Sequence, residues 1–191
     1  HGRLFGGSEP ARGNFCFCGI GMPELYLVRH AEPQLKGVML GRTDCGLSEA
    51  GRRCAAETMP RLRGEIVYSS PLRRARETAS FIAAPIVVLD ELAEIGYGDW
   101  EGKRWNEIEA TWPDLVRAKN NDWFSVTPPN GESWSDVSLR VSRAIERIRR
   151  GPFPAIVVAH FGLNSELMRQ LQGTEPLGFS QQYCEVIRIE L

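Results

Sequence analysis

The stretch Leu25-Tyr26-Leu27-Val28-Arg29-His30-Ala31-Glu32 sets the architecture. Four apolar residues that run into a cation, an imidazole and a carboxylate read as a buried strand whose carboxyl end carries functional groups. Open α/β sheets place their ligands at such ends. Ala155-Ile156-Val157-Val158-Ala159-His160 repeats the design, a second apolar run that stops on a histidine. Apart from His1, these are the only histidines in the chain. Either alone reads as a satisfied core histidine; the pair points to a site.

Outward from these two strands, Ile66-Val67-Tyr68, Ile86 to Leu89 and Cys184 to Ile189 read as further strands. Ser48 caps a helix running from Glu49 to about Leu62, Pro71 opens one through Ala84, and a third spans about Leu163 to Leu171. Ser133 or Ser135 caps a helix to about Arg150, with Val137, Val141, Ile145 and Ile148 on one apolar stripe. Between Leu92 and Ser133 lies an irregular section punctuated by glycine and proline, with short helices around Trp105–Trp112 and Pro113–Asn120. Strands alternating with helical patterns predict a three-layer α/β/α sandwich with a mostly parallel central sheet.

Residues 1–21 hold six glycines and no periodic pattern, and read as a tail outside the fold in which Cys16 and Cys18 are incidental thiols. Residues 22–191 read as one domain with a cap inserted at about 92–133. A formal net charge of −1 provides no overall field for nucleic acid or an anionic membrane, so any anion site must be local. The apolar runs are strand-sized, far short of the ~20 residues that span a bilayer. Five cysteines form an odd set without zinc-ligand spacing, in a chain rich enough in Val, Ile and Leu to need no disulfide framework. A cytoplasmic location is expected, with no nucleic acid or membrane partner. The oligomeric state is not legible, and a homodimer is compatible with the sequence.

If the strands are parallel, their carboxyl ends share one edge. Strand one brings Arg29, His30 and Glu32, and strand two ends at Ser69-Ser70-Pro71-Leu72-Arg73-Arg74, placing Arg74 in the first turn of a helix. The third leads into Glu91 and Glu94, and the fourth brings His160. Two imidazoles, two guanidiniums and a carboxyl group suit a phosphate dianion: arginine presents a planar fork of donors and a neutral imidazole nitrogen can attack phosphorus.

Val28-Arg29-His30-Ala31-Glu32 resembles the Arg-His-Gly signature of the histidine phosphatase, or phosphoglycerate mutase-like, superfamily. Ser69 to Ala79 is similar to its second motif, Leu92-Ala93-Glu94 with Gly98-Asp99-Trp100-Glu101-Gly102 to its acid motif, and Val158-Ala159-His160-Phe161-Gly162 to its second-histidine motif. Gly131-Glu132-Ser133 and Arg140-Val141 also have counterparts. The resemblance implies a phosphoglycerate mutase-like fold and a phosphomonoester hydrolase with no cofactor and no metal. It also implies the roles: His30 the nucleophile that becomes phosphohistidine, Arg29, Arg74 and His160 the groups that bind the phosphoryl oxygens, and Glu94 the acid that protonates the leaving oxygen.

Two departures stand out. Where the family often carries Thr and Asn after its first motif, this chain has Pro33 and Lys36, so Arg42 is the expected substitute phosphate ligand and Lys36 a candidate substrate contact. Phe161 replaces a small residue and is expected to narrow the pocket. Within the superfamily, Arg29 to Pro33 followed by Gly37 to Asp44, together with Pro129 to Ser133, is most similar to the α-ribazole phosphatases of cobalamin assembly. A small-molecule phosphomonoester, α-ribazole 5′-phosphate, is the substrate that resemblance implies. A broad sugar-phosphate phosphatase or a mutase-like enzyme is the alternative, and a non-catalytic binding module a remote one. The five tryptophans, Trp100, Trp105, Trp112, Trp123 and Trp134, read first as a satellite core that holds the cap together; the alternative is that one or two face the pocket and stack on an aromatic leaving group, and Trp100 and Glu132 are candidate substrate contacts.

Overall fold

A computed structural model describes residues 22–191; Cys16, Cys18 and the expected tail lie outside the described residues. Five strands form one sheet: β1 (Glu24–Arg29), β2 (Ile66–Ser69), β3 (Ile86–Val88), β4 (Ala155–Ala159) and β5 (Val186–Glu190), in the order β3-β2-β4-β1-β5. All neighbours are parallel except β1 and β5. The chain is thus the mostly parallel α/β sandwich its alternating pattern predicts. β4 sits in the middle, buried at every position, which is why it reads as an unbroken apolar run rather than an alternation.

Side chains leave the sheet on two faces. Leu25, Leu27, Val157 and Leu163 pack with Val137, Val141 and Ile148, under helices α5 (Trp134–Arg149) and α6 (Phe161–Gln172). Val28, Val67, Ile156 and Val158 pack with Ala55, Met59, Ala75 and Ala79, under α1 (Glu49–Thr58) and α2 (Arg73–Ala79). α1 passes so close to the first loop that a Cβ on Gly51 would lie 2.2 Å from the Glu32 carbonyl oxygen. Only glycine fits there.

Several boundaries differ from expectation, each for a local reason. α1 ends at Thr58 and passes into a 3₁₀ turn over Met59–Arg61, because Pro60 has no N–H to continue the α ladder. α2 starts two residues after Pro71, where the Asp44 carboxylate accepts from the Arg73 N–H at 2.7 Å, and gives way after Ala79 to looser turns ahead of Pro85. β3 is no buried strand but an exposed sheet edge, with Ile86, Val87 and Val88 all reaching solvent. β5 runs antiparallel and begins at Val186, since Cys184 takes a left-handed φ of 62°. α6 starts directly after His160, and α5 is capped by Ser133, whose hydroxyl accepts from the Asp136 N–H at 3.1 Å.

Between β3 and α5 stand two short helices, α3 (Trp105–Thr111) and α4 (Pro113–Asn121). They enclose a separate apolar cluster of Trp100, Ile108 and Val116, with Trp105 and Trp112 at its margin. Among the described residues no helix is long and apolar enough to cross a membrane.

Candidate active site

The register of the parallel strands carries backbone hydrogen bonds past their ends: the His30 N–H donates to Ala159 O at 2.9 Å and the Ser70 N–H to Val158 O at 3.0 Å. His30, Ser70 and His160 therefore finish side by side. The ring centroids of the two histidines lie 4.9 Å apart. Above them opens a pocket of about 170 Å³, with Arg29, His30, Arg74 and Glu94 in its wall. His160 is fully buried beneath it.

His30 Nδ1 is 2.7 Å from the Ala31 carbonyl oxygen. A carbonyl only accepts, so Nδ1 bears the proton and Nε2 keeps its lone pair. Arg74 approaches that nitrogen, its Nε donating at 3.3 Å, while its two terminal nitrogens donate to Thr43 O (2.8 Å) and Gly41 O (2.6 Å). Burial, and then the adjacent Arg74 charge, push His30 down to about 3. Both effects favour the neutral imidazole, the form that can offer a lone pair. His160, hydrogen-bonded through Nε2 to the Ser70 hydroxyl at 2.7 Å, is also held well below its ordinary value, by burial and then by the proximity of His30.

Arg29 donates from Nη1 to Gln181 O at 2.6 Å and is sandwiched by aromatic faces, Tyr183 at 4.1 Å and Phe161 at 5.2 Å from the guanidinium carbon. Phe161, Tyr97 and Tyr183 complete the wall together with the backbone run Val38 to Gly41. The Glu94 carboxyl accepts from the N–H groups of Ile95 (3.0 Å) and Gly162 (3.3 Å). A Cβ on Gly162 would stand 2.9 Å from Glu94 Oε1, so this glycine makes room for the acid. Burial raises Glu94 above the usual carboxylate range despite those two donors. The pocket thus combines the His30 imidazole, two guanidiniums and a carboxyl group biased toward its protonated form, with the His160 ring buried against His30 behind them. No group of three or more His, Cys, Asp or Glu side chains among the described residues is placed to hold a metal ion.

Five expected site residues do not line this pocket: His160, which is wholly buried behind His30, and four others. Trp100 is sealed in the satellite core, wholly inaccessible, because α3 and α4 close over it. Lys36 is exposed and pairs with Glu32, four residues back, at 2.7 Å. Arg42 turns outward to Glu132 at 3.3 Å, while its backbone N–H and that of Thr43 are gripped by Glu101, each at 2.7 Å. Glu132 itself is bound to Arg140, at 2.6 and 3.0 Å, and faces protein rather than pocket. Conversely, sequence reasoning passed over Tyr183, Tyr97 and Ser70. No local pattern marks Tyr183, which arrives from the turn before β5; Ser70 could have been found from its place one residue past a strand end.

Next to this pocket lies a second chamber of about 240 Å³, walled by Trp123, Phe124, Trp134 and Phe179, with Ile95, Pro176 and Leu177. It shares Tyr97 and Phe161 with the first. None of the side chains lining it is charged. Ile95 and Gly162, whose N–H groups hold Glu94, line it too, so the carboxyl lies in the wall of the first pocket on the side nearest the second.

Residues 25–191 match the model of the histidine phosphatase superfamily (branch 1). A bifunctional protein of Mycobacterium tuberculosis is 41% identical over 149 residues, 71% of this chain but 40% of that protein, so the chain accounts for well under half the length of that relative. The adenosylcobalamin/alpha-ribazole phosphatase of Escherichia coli is 31% identical over 160 residues, 78% of this chain and 79% of the relative. Among solved structures, the alpha-ribazole phosphatase of Shigella flexneri superposes with a TM-score of 0.80 at 27% identity, covering 88% of this chain and 90% of that one. With its two strand-end histidines, its arginines and the match along nearly the whole described chain, the protein belongs to branch 1 of the histidine phosphatase superfamily.

Proposed function

We propose that this protein hydrolyses phosphomonoesters without a metal, through a phosphohistidine on His30, and that its substrate is α-ribazole 5′-phosphate. His30 Nε2 attacks phosphorus as the ester P–O bond breaks, and Glu94 gives its proton to the departing oxygen. Glu94, now a carboxylate, takes a proton from water, which attacks the phosphohistidine and releases phosphate and the free imidazole. Arg29 and Arg74 stabilise charge on the equatorial oxygens. His160 Nδ1 and Arg29 Nε are buried without a hydrogen-bond partner, and a phosphoryl group would satisfy both.

The observation that carries the substrate is the uncharged aromatic chamber beside Glu94. Glu94 lines the pocket beside Tyr97 and Phe161, the two side chains that the pocket shares with the chamber, so a leaving group that extends past them reaches Trp123, Phe124 and Trp134. A flat benzimidazole nucleoside suits these walls. The carboxylate of phosphoglycerate or phosphoserine would be stranded there without a cation. The resemblance to phosphatases named for α-ribazole agrees.

A competition in kcat/KM among α-ribazole 5′-phosphate, 3-phosphoglycerate and simple sugar phosphates, run with and without chelator, tests both halves. The ribazole ester should lead, with one aromatic contact at ~0.5–1.5 kcal/mol contributing about two- to tenfold of that lead, and chelation should change nothing. Preference for phosphoglycerate would sink the substrate and leave the mechanism; loss in chelator restored by a divalent ion would sink the mechanism.

A further inference from the structure

Arg140 on α5 has a guanidinium with no donor to spare. Its Nε donates to Glu132 Oε1 at 2.6 Å and Nη2 to Glu132 Oε2 at 3.0 Å. Nη1 donates to the carbonyls of Glu91 (2.7 Å) and Ala93 (2.6 Å), and Nη2 also to that of Glu94 (3.3 Å). All five N–H groups of the fork are thereby engaged within the protein. The side chain is nearly buried, 11% exposed, and its partner Glu132 is 14% exposed. Arg140 is therefore not a substrate ligand: it has nothing left to offer one.

What it grips is the loop that bears the acid. Three of its contacts are carbonyls at and just before Glu94, and its carboxylate partner Glu132 accepts from the Gly96 N–H at 3.2 Å, just after Glu94. The loop is held on both sides of position 94 by one ion pair, which also draws Arg42 onto Glu132. Burial works to raise Glu132, but its bonds to Arg140 prevail and hold it below the ordinary carboxylate range, so the pair stays charged. A local 3₁₀ turn over Asp90–Leu92 shapes the approach to Glu94, but the bonds that tie both sides of the loop come from a helix some forty-six residues away in sequence.

The geometry points to Arg140, braced by Glu132, as the positioning residue of the general acid: it sets where the Glu94 proton sits relative to the leaving oxygen. This rests on the reading of Glu94 as that acid. The groups facing Glu94 are Arg74 from α2, Arg140 from α5, the N–H of Gly162 from α6, the Tyr97 phenol from its own loop, and His30, which shares the pocket. Arg140 thus has an electrostatic part as well as a geometric one, because its charge offsets some of the rise that burial imposes on Glu94.

The test compares ethyl phosphate, whose leaving oxygen needs a proton, with 4-nitrophenyl phosphate, whose leaving group does not, across pH. Arg140→Met should lower kcat on ethyl phosphate by about 10²-fold, the cost of a ~1 Å misplacement, and leave 4-nitrophenyl phosphate within about threefold. The basic limb of the ethyl phosphate profile should move to higher pH, since a cation facing the acid is gone. Arg140→Lys keeps the charge but offers three donors instead of five, so the limb should stay while a smaller leaving-group effect remains. Equal losses on both esters with an unmoved limb, or no loss, overturns the proposal as a merely structural role. Should Arg140→Met fail to fold, Glu132→Gln decides by the same criterion, expected to spare 4-nitrophenyl phosphate and overturning the proposal if it affects both esters alike. Glu94→Gln run alongside separates the two readings: if it shows no leaving-group dependence the acid assignment fails and this one with it, whereas dependence in Glu94→Gln and none in the Arg140 variants defeats only the positioning role.

Discussion

The floor of the pocket and the chamber beside it are built on opposite principles. The floor consists of strand ends locked by backbone hydrogen bonds, with Arg29, Arg74, His30 and His160 each tied to a carbonyl or hydroxyl. The chamber is walled by side chains from the α4–α5 connection, α6 and the segment before β5, packed by area and aromatic edges, with Phe124 and Trp134 rings 4.5 Å apart. A floor of directional bonds tolerates little change and treats every phosphoryl group alike. An apolar wall can be resurfaced without moving the floor, so the proposed function places chemistry and selectivity in separable parts of one site.

The sharpest way to break that separation is to remove the nucleophile. His30→Ala should abolish turnover of every ester, by on the order of 10⁴–10⁶-fold, and an acid-labile, base-stable phosphate trapped on the wild-type protein should be absent from the variant. Turnover near wild type in that variant would assign the attack to another group.

A smaller and selective effect is expected from the chamber. Trp123→Ala and Trp134→Ala should each lower kcat/KM for the ribazole ester by about tenfold or less, from ~0.5–1.5 kcal/mol of aromatic contact, with small alkyl esters nearly unchanged. Equal losses on both would mean that the chamber supports the floor rather than choosing the substrate.

The smallest effect concerns stability and belongs to the floor alone. His30 titrates near 3 when folded and near 6.5 when unfolded. Between those values the unfolded chain binds the extra proton, so stability falls as pH drops through this window. Between pH 6.5 and 5, above the range of the depressed carboxylates, the slope approaches at most ~1.4 kcal/mol per unit for each buried imidazole, a few degrees of Tm. His30→Gln should flatten the thermal-melting profile there, and an unchanged slope would show that the histidine is not held neutral.

Much of the floor was legible because its signals are local. An apolar run four or five residues long with a histidine one or two positions after it carries its own strand and its own end, and Arg74 and Glu94 lie five and six residues beyond the ends of β2 and β3. Boundaries went astray where one residue outweighs a pattern, as at Pro60, or where a partner arrives from elsewhere, as Asp44 does to cap α2. The chamber was less legible. Five tryptophans between Asp99 and Ser135 announce an aromatic cluster, but nothing in their spacing separates Trp100, closed over by α3 and α4, from Trp123 and Trp134, which face open space.

The amino-acid sequence by itself determined the layers and the sheet edge where Arg29, His30, Arg74 and His160 gather, because strand period, apolar runs and functional residues at strand ends are encoded within a few neighbouring positions. Only the tertiary structure decided which carboxylates reach the pocket and which are spent on ion pairs elsewhere. Glu132 and Arg42 both look like substrate contacts along the chain, yet ion pairs to residues far off in sequence turn them into supports for the loop that holds Glu94. Tyr183 reaches the pocket from beside the antiparallel last strand, 154 residues after Arg29 by number but 4.1 Å from its guanidinium. Such pairings depend on which elements become neighbours on folding, and that is settled by packing of the whole core rather than by any one stretch of sequence.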